Sequence, residues 1–141
     1  MLYLGNLEAR RDWGHARDYV EGMHRILQAD AADDFVLATG EARSVREFVE
    51  LAFAEVGRTI EWHGKGVDET GVDGKSGKTI LRIDPVYFWP TEVDLLVGDA
   101  SKAREKLGWQ AKTPFAKLVK EMVASDLAEA RREVANGKSS V

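Results

Sequence analysis

The sequence predicts a mixed α/β unit in which short strands are separated by helices. Three observations carry this reading. Apolar residues recur at helical spacing in three separate stretches, around 16–27, 45–56 and 115–130. Before and between them lie apolar runs that are too short for helices but of strand length, such as Leu2–Leu4 and Phe35–Thr39. Glycine, proline and Asp-rich clusters mark the boundaries between these segments. With 141 residues, the chain is one domain or a piece of one, and long enough to bury a core.

In chain order, Leu2-Tyr3-Leu4 reads as the end of a strand. The helix after it carries Ala16, Tyr19, Val20, Met23, Ile26 and Leu27 on one face. A turn over Asp30–Asp34 leads into a strand expected over Phe35–Thr39, which Gly40 ends. Ser44 and Glu47 form a capping box, because hydroxyl and carboxylate can each satisfy a free backbone N–H at a helix start. The helix they open should bury Val45, Phe48, Val49, Ala52, Phe53 and Val56, and stop at Gly57. Thr59–Trp62 and Thr79–Ile83 read as strands, and the Gly-, Asp- and Lys-rich residues 64–77 between them as a loop excursion.

Pro85 and Pro90 make the stretch from Asp84 to Asp99 irregular. Asp99 or Ser101 can cap a short helix that ends at Leu107-Gly108, where glycine suits a left-handed cap. Thr113-Pro114 opens the last helix, with Phe115, Leu118, Val119, Met122, Val123, Leu127 and Ala130 as its buried face. Residues 131–141 read as a polar, frayed tail. No internal repeat or interdomain linker interrupts residues 1–141. A strand at residue 1 normally continues from something, so the chain is expected to be a piece of a larger protein.

Composition narrows the function. The 44% hydrophobic and 31% charged shares are those of a water-soluble globular protein. A net charge of −4 with both signs interspersed argues against a nucleic-acid face, which concentrates Lys and Arg. With no cysteine, disulfides, Cys-ligated zinc and a thiol nucleophile are excluded. His15, His24 and His63 lack metal-binding spacing, since His15 and His24 fall on opposite sides of one helix. No apolar run is long enough to span a membrane, and Met1–Asn6 does not read as a secretion signal, so a cytoplasmic location is expected.

The Gly-rich stretch invites a phosphate-loop reading that its spacing refuses. Gly77-Lys78-Thr79 would need glycine at position 72, which is Val72, and Gly74-Lys75-Ser76 would need it where Glu69 stands. Gly64-Lys65-Gly66 starts a dinucleotide fingerprint, but Glu69 occupies the position of its last glycine. Asp68–Gly74 lacks the alternating oxygen ligands of a calcium loop. A solvated hairpin or excursion is the expectation.

Two other segments concentrate chemistry. In Arg10-Arg11-Asp12-Trp13-Gly14-His15, forked guanidinium donors could clamp phosphate, or the charges could form surface salt bridges around a Trp13 core plug. In Phe88-Trp89-Pro90-Thr91-Glu92-Val93-Asp94, aromatics and acids could line a pocket or pack as a loop. Residue types alone do not choose within either pair.

The run Leu4–Val20, which contains Gly5-Asn6-Leu7 and Arg11-Asp12-Trp13-Gly14-His15, closely resembles the corresponding segment of GDP-mannose 4,6-dehydratases. Asp34–Gly40, Ser44–Val49, Pro90–Asp94 and Lys106–Trp109 resemble that family as well, in the same order along essentially the whole chain. The resemblance implies the substrate-binding half of an extended short-chain dehydrogenase/reductase, without most of its NADP-holding Rossmann domain. It also implies the reaction. Hydride passes from C4 of the mannose to NADP, the 4-keto group acidifies the C5 proton, water is lost across C5–C6, and hydride returns at C6. The product is GDP-4-keto-6-deoxymannose, a precursor of fucose.

By this resemblance Arg11 contacts the diphosphate and Glu92 the ribose hydroxyls, with Leu4 and Asn6 as further substrate contacts. Trp89 departs from the pattern, since the family's arginine belongs there. A tryptophan offers one N–H and no charge, so it cannot replace a forked phosphate contact.

The catalytic Tyr-x-x-x-Lys is absent: Tyr3, Tyr19 and Tyr87 are followed at that distance by Leu7, Met23 and Thr91. The dinucleotide glycine motif is absent too. The chain alone is therefore expected to be inactive, to bind no NADP and to supply GDP-sugar binding only. Its expected partners are GDP-mannose, the Rossmann half or an intact dehydratase subunit, and a homo-oligomer. Two alternatives are a non-catalytic GDP-sugar-binding or subunit-association module, and a fragment of GDP-4-keto-6-deoxymannose reductase.

Overall fold

A computed structural model of the chain describes residues 1–89 and 97–137. Its strands are β1 (Leu2–Leu4), β2 (Arg10–Asp12), β3 (Ala42–Ser44), β4 (Ile60–His63), β5 (Thr70–Asp73) and β6 (Thr79–Ile83). Its helices are α1 (Ala16–Leu27), α2 (Val45–Glu55), α3 (Ser101–Leu107) and α4 (Phe115–Ala135). The mixed α/β class expected from the sequence is what the chain adopts. Among the described residues, no helix is long and apolar enough to cross a membrane.

Four strands form one sheet in the order β1-β6-β5-β4. β4, β5 and β6 are a meander of antiparallel neighbours, and β1 joins β6 in parallel, with Leu2 opposite Leu81 and Leu4 opposite Ile83. Leu81 and Ile83 point into a core shared with Leu7 and Val49, against which Leu4, Val45, Phe53, Ile60, Trp62 and Phe88 pack. The residues expected as a loop over 64–77 thus contain β5, the strand that joins β4 to β6. Gly71 is what admits it: a Cβ there would press on Ile60, Trp62 and Leu81 at about 3 Å. Its Gly and Asp content hid the strand from propensity.

α2 begins as expected. The Ser44 hydroxyl accepts from Glu47 N–H at 3.1 Å, and the Glu47 carboxylate accepts from Ser44 N–H at 2.7 Å. The helix ends at Glu55, just before Gly57 in a left-handed conformation (φ +70°). Its buried side is narrower than the pattern suggested, with Val49 buried, Val45, Phe48, Ala52 and Phe53 half-buried, and Val56 exposed. Arg46 ties it to the sheet through ion pairs to Glu8 and Glu69 and lies 4.6 Å from the centre of the Trp62 ring.

α1 departs further from expectation. Its buried positions are Asp18 and Gly22, whereas Val20, Met23 and Leu27 are 62%, 57% and 81% exposed. Gly22 is there because Trp109 and Leu37 press on it: a Cβ would lie 2.6 Å from Leu37 Cδ1 and 2.9 Å from Trp109 Nε1. Trp109, only 1% exposed, donates its indole N–H to the Asp18 carbonyl at 2.7 Å. Arg25 reaches the carbonyls of Leu107 and Gly108 and so closes the end of α3 against α1.

Asp18 joins α1 to the segment before α4 by accepting from Lys112 N–H at 3.1 Å and Thr113 N–H at 2.9 Å. Burial alone would raise its pKa, but the Thr113 backbone and hydroxyl, the Lys112 N–H and nearby His15 together hold it below the usual value. A lowered carboxylate pKa stabilises the fold fully above the unfolded value, and that contribution is lost as pH falls through the folded one. Asp18→Asn is expected to cost about 1–3 kcal/mol at neutral pH, since the amide oxygen can still accept from both N–H groups but without the charge. It should also flatten the loss of stability below about pH 4. Urea melts of both proteins at pH 7 and pH 3.5 check this; equal pH dependence would contradict it.

The strand expected over Phe35–Thr39 does not form. Ladder pairing needs a neighbouring strand, and among the described residues none pairs with it. Gly98 lies against Ala38 and Val36, where a Cβ would sit 2.5 Å from the Ala38 methyl, yet Val36 remains exposed. α3 ends at Gly108 in the left-handed conformation (φ +60°); its N-cap is Ala100 rather than the expected Asp99 or Ser101, and Asp99 turns the chain just before it by accepting from Ser101 N–H. Pro114 sits one position before α4 rather than inside it. α4 buries Leu118 and Val119, while Met122 and Leu127 are exposed. It runs on to Ala135, through residues expected to fray, because Ala130–Ala135 are largely good helix formers and Glu129 pairs with Arg132.

Candidate functional site

The segment Leu4–His15 holds most of the residues singled out from the sequence, and three local devices shape it. Asn6 accepts from Glu8 N–H at 2.9 Å, turning the chain after β1. Ala9 and Leu7 carbonyls accept from Val45 and Arg46 N–H, seating that turn on the start of α2. β2 then pairs antiparallel with β3 as a two-stranded ribbon, with Arg10 opposite Ser44, Arg11 opposite Arg43 and Asp12 opposite Ala42.

Asp12 fixes the ribbon's far end. It accepts from Thr39 N–H at 3.0 Å, the Thr39 hydroxyl at 2.7 Å and Gly40 N–H at 3.0 Å. Trp13 is half-buried: its indole donates to the Arg43 carbonyl at 2.9 Å, and its ring meets Phe48 at 5.0 Å. Phe48 in turn meets Phe115 of α4 at 5.9 Å. His15 caps α1 by accepting from Arg17 N–H at Nδ1, which leaves Nε2–H to donate to Glu121 at 3.2 Å.

Arg11 is exposed on this ribbon, with one guanidinium nitrogen donating to the Arg10 carbonyl at 2.8 Å. Leu4 and Asn6 are half-buried. The Leu4 carbonyl accepts from Asp84 N–H at 2.8 Å, and a Cβ on Gly5 would run into the Tyr87 carbonyl. The Leu4–Asn6 turn and the 84–88 loop therefore come together, with Phe88 packed on the core and Trp89 64% exposed. No described contact links Arg11 to Trp89. Glu92 lies outside the described residues.

Two clefts open in the chain, and the first borders the ribbon. One of about 530 Å³ is lined by Trp13, Thr39, Glu41, Arg43, Lys112 and Phe115 among others. The other, of about 540 Å³, lies between α1 and α3 beside His24, Asp33 and Lys106. There Lys102 and Lys106 hold the Asp33 carboxyl down to about 2. Sequence reasoning passed over Arg43, and it held Asp12 in the Arg10–His15 motif without its partner Thr39. The Arg11–Arg43 register spans 32 residues and the Asp12–Thr39 bond 27, so neither has a local sign in the sequence.

A family model described as GDP-mannose 4,6 dehydratase matches residues 1–122. The chain belongs to the GDP-mannose 4,6-dehydratase family. A GDP-mannose 4,6-dehydratase of Sinorhizobium fredii is 57% identical over 131 residues, which are 93% of this chain and 37% of that protein. The Homo sapiens GDP-mannose 4,6 dehydratase is 53% identical over 124 residues, 88% of this chain and 33% of that protein. The chain thus spans about a third of the length of the curated dehydratases it matches.

Solved structures share the fold at low identity. RMD from Pseudomonas aeruginosa, solved as a complex with NADPH, superposes with a TM-score of 0.69 at 14% identity, over 91% of this chain and 36% of that one. A UDP-glucose 4-epimerase from Thermotoga maritima, solved with UDP-glucose, gives 0.68 at 19% identity, over 92% and 35%.

Proposed function

We propose that this chain is the GDP-sugar-recognising portion of a GDP-mannose 4,6-dehydratase and is inactive by itself. The family match across residues 1–122 carries the reading. The geometry supports it through the exposed Arg11, held on a ribbon that Asp12 and Trp13 anchor at one end. In this reading Arg11 binds the diphosphate of GDP-mannose, Glu92 the ribose hydroxyls, and the Leu4–Asn6 turn closes one side. Trp89 stands in place of a second phosphate-binding arginine.

The reaction of the whole enzyme, GDP-mannose to GDP-4-keto-6-deoxymannose, is an internal redox with loss of water that depends on NADP. The residues of this chain do not fit that cofactor: its sequence has no Tyr-x-x-x-Lys, and its one Gly-x-x-Gly-x-x-Gly spacing, over Gly71–Gly77, lies on β5 and the turn into β6 rather than between a strand and a helix. No hydride or proton transfer is therefore assigned to them. Binding and orienting the nucleotide are their part, and the setting is cytoplasmic and homo-oligomeric.

The partner that supplies the rest docks on α1. Val20, Met23 and Leu27, with Ala16, form one uncovered apolar stripe along that helix, and such stripes are ordinarily covered. We assign the stripe to the remaining portion of a dehydratase, either on the same polypeptide or on an intact subunit.

Calorimetric titration with GDP and GDP-mannose tests the binding role. Saturable binding is expected to weaken about tenfold to a hundredfold in Arg11→Ala, the worth of one charge-assisted phosphate contact. Trp89→Arg is expected to tighten GDP binding by a similar factor. Heat-silent titrations of the folded chain, or binding indifferent to Arg11, would overturn the role.

A further inference from the structure

We infer that Arg43 is a second phosphate-binding group, which shares the diphosphate with Arg11 and supplies charge that Trp89 does not; this rests on the proposed GDP-sugar role. The argument starts from register. In the β2–β3 ribbon Arg11 lies directly opposite Arg43, and residues opposite each other in an antiparallel pair project from the same face with Cβ atoms about 5 Å apart. Two guanidinium groups so placed can reach one dianionic ligand together.

Arg43 has two acidic neighbours in the chain itself. Arg43 is 3.0 Å from Glu41 and 3.5 Å from Glu47. Glu47 faces Arg43 through Oε1 while its Oε2 accepts from Ser44 N–H in the helix cap, so it stays beside Arg43 as a fixed, longer-range partner. Glu41 is a surface carboxylate on a short reach, and exposed ion pairs of that kind contribute little. An arriving diphosphate can therefore replace Glu41 as the partner of Arg43 with little loss.

The guanidinium is also accessible. Arg43 lines the open cleft of about 530 Å³ with Trp13 and Lys112, and its side chain is half-exposed. Its backbone is fixed, because its carbonyl accepts the Trp13 indole N–H. A fork held on a pinned strand loses less freedom on binding than one on a loop. Two guanidinium groups on one face match a diphosphate, which presents oxygens on both phosphorus atoms.

The test is a calorimetric series with GDP, GMP and guanosine on the chain, Arg43→Gln, Arg43→Lys and Arg11→Gln. Arg43→Gln is expected to weaken GDP binding about tenfold to a hundredfold. It should weaken GMP less and leave guanosine unchanged, with Arg43→Lys in between. GDP binding lost in Arg11→Gln but kept in Arg43→Gln would overturn the inference while leaving the nucleotide-binding role standing. So would an equal loss for guanosine, which marks a structural defect. No GDP binding by the parent chain would remove both.

Discussion

Trp109→Ala is expected to destabilise the chain by about 3–5 kcal/mol, the range for emptying a large aromatic site in a core. Trp109 is 1% exposed, stacks beside Tyr19 at 6.2 Å and sits against Gly22, the one position of α1 where no side chain fits. Removing it opens a void between α1 and the segment leading to α4 and loses the indole bond to the Asp18 carbonyl. For a domain whose total stability is typically about 5–15 kcal/mol, this is a large fraction. Trp109→Phe should cost less, since most of the volume remains and the hydrogen bond alone is lost. Urea denaturation followed by circular dichroism checks both; a Trp109→Ala midpoint close to that of the parent would show that α1 is held by other contacts.

The second large effect concerns association. Serine at Val20, Met23 and Leu27 together should abolish binding to the remaining portion of a dehydratase while leaving the chain folded, because these side chains are exposed in the chain alone. Burying each apolar side chain contributes roughly 1.5–3 kcal/mol, so the triple change removes more than a thousandfold in affinity. Co-expression with the rest of the Sinorhizobium fredii relative, followed by co-purification, reads this out. The parent should co-purify and the triple variant should not. Equal recovery of both would mean that α1 is not the docking face.

These expectations show what the sequence could carry. The start of α2 and the end of α3 were readable because caps are local: Ser44 with Glu47, and Gly108 after Leu107, act within one turn. The strand expected over Phe35–Thr39 failed because a strand is a property of two segments, and only one of them was in view. β5 was hidden by Gly71 and Asp73, residues poor in strand propensity that this sheet tolerates through close packing and the Asp73–Ser76 hydrogen bond.

For α1, periodicity located an apolar stripe but could not say what covers it. Within the candidate site, Arg11 was singled out through its motif, and the structure places it exposed on β2. Arg43 was not singled out, and Asp12 stood in that motif without its partner Thr39, because register and the Asp12–Thr39 bond join residues far apart in sequence. Trp89 was recognised as a departure only against a family pattern; its chemistry alone reads equally well as an exposed loop residue.

The most direct test of the central claim is amide chemical-shift mapping of the isotope-labelled chain during titration with GDP-mannose. The account expects saturable shifts concentrated at Leu4–Asn6, Arg11 and Arg43, and at the Trp89 indole. No shifts, or shifts confined to the cleft between α1 and α3 around Asp33 and Lys106, would contradict the assignment of GDP-sugar recognition to the β2–β3 ribbon.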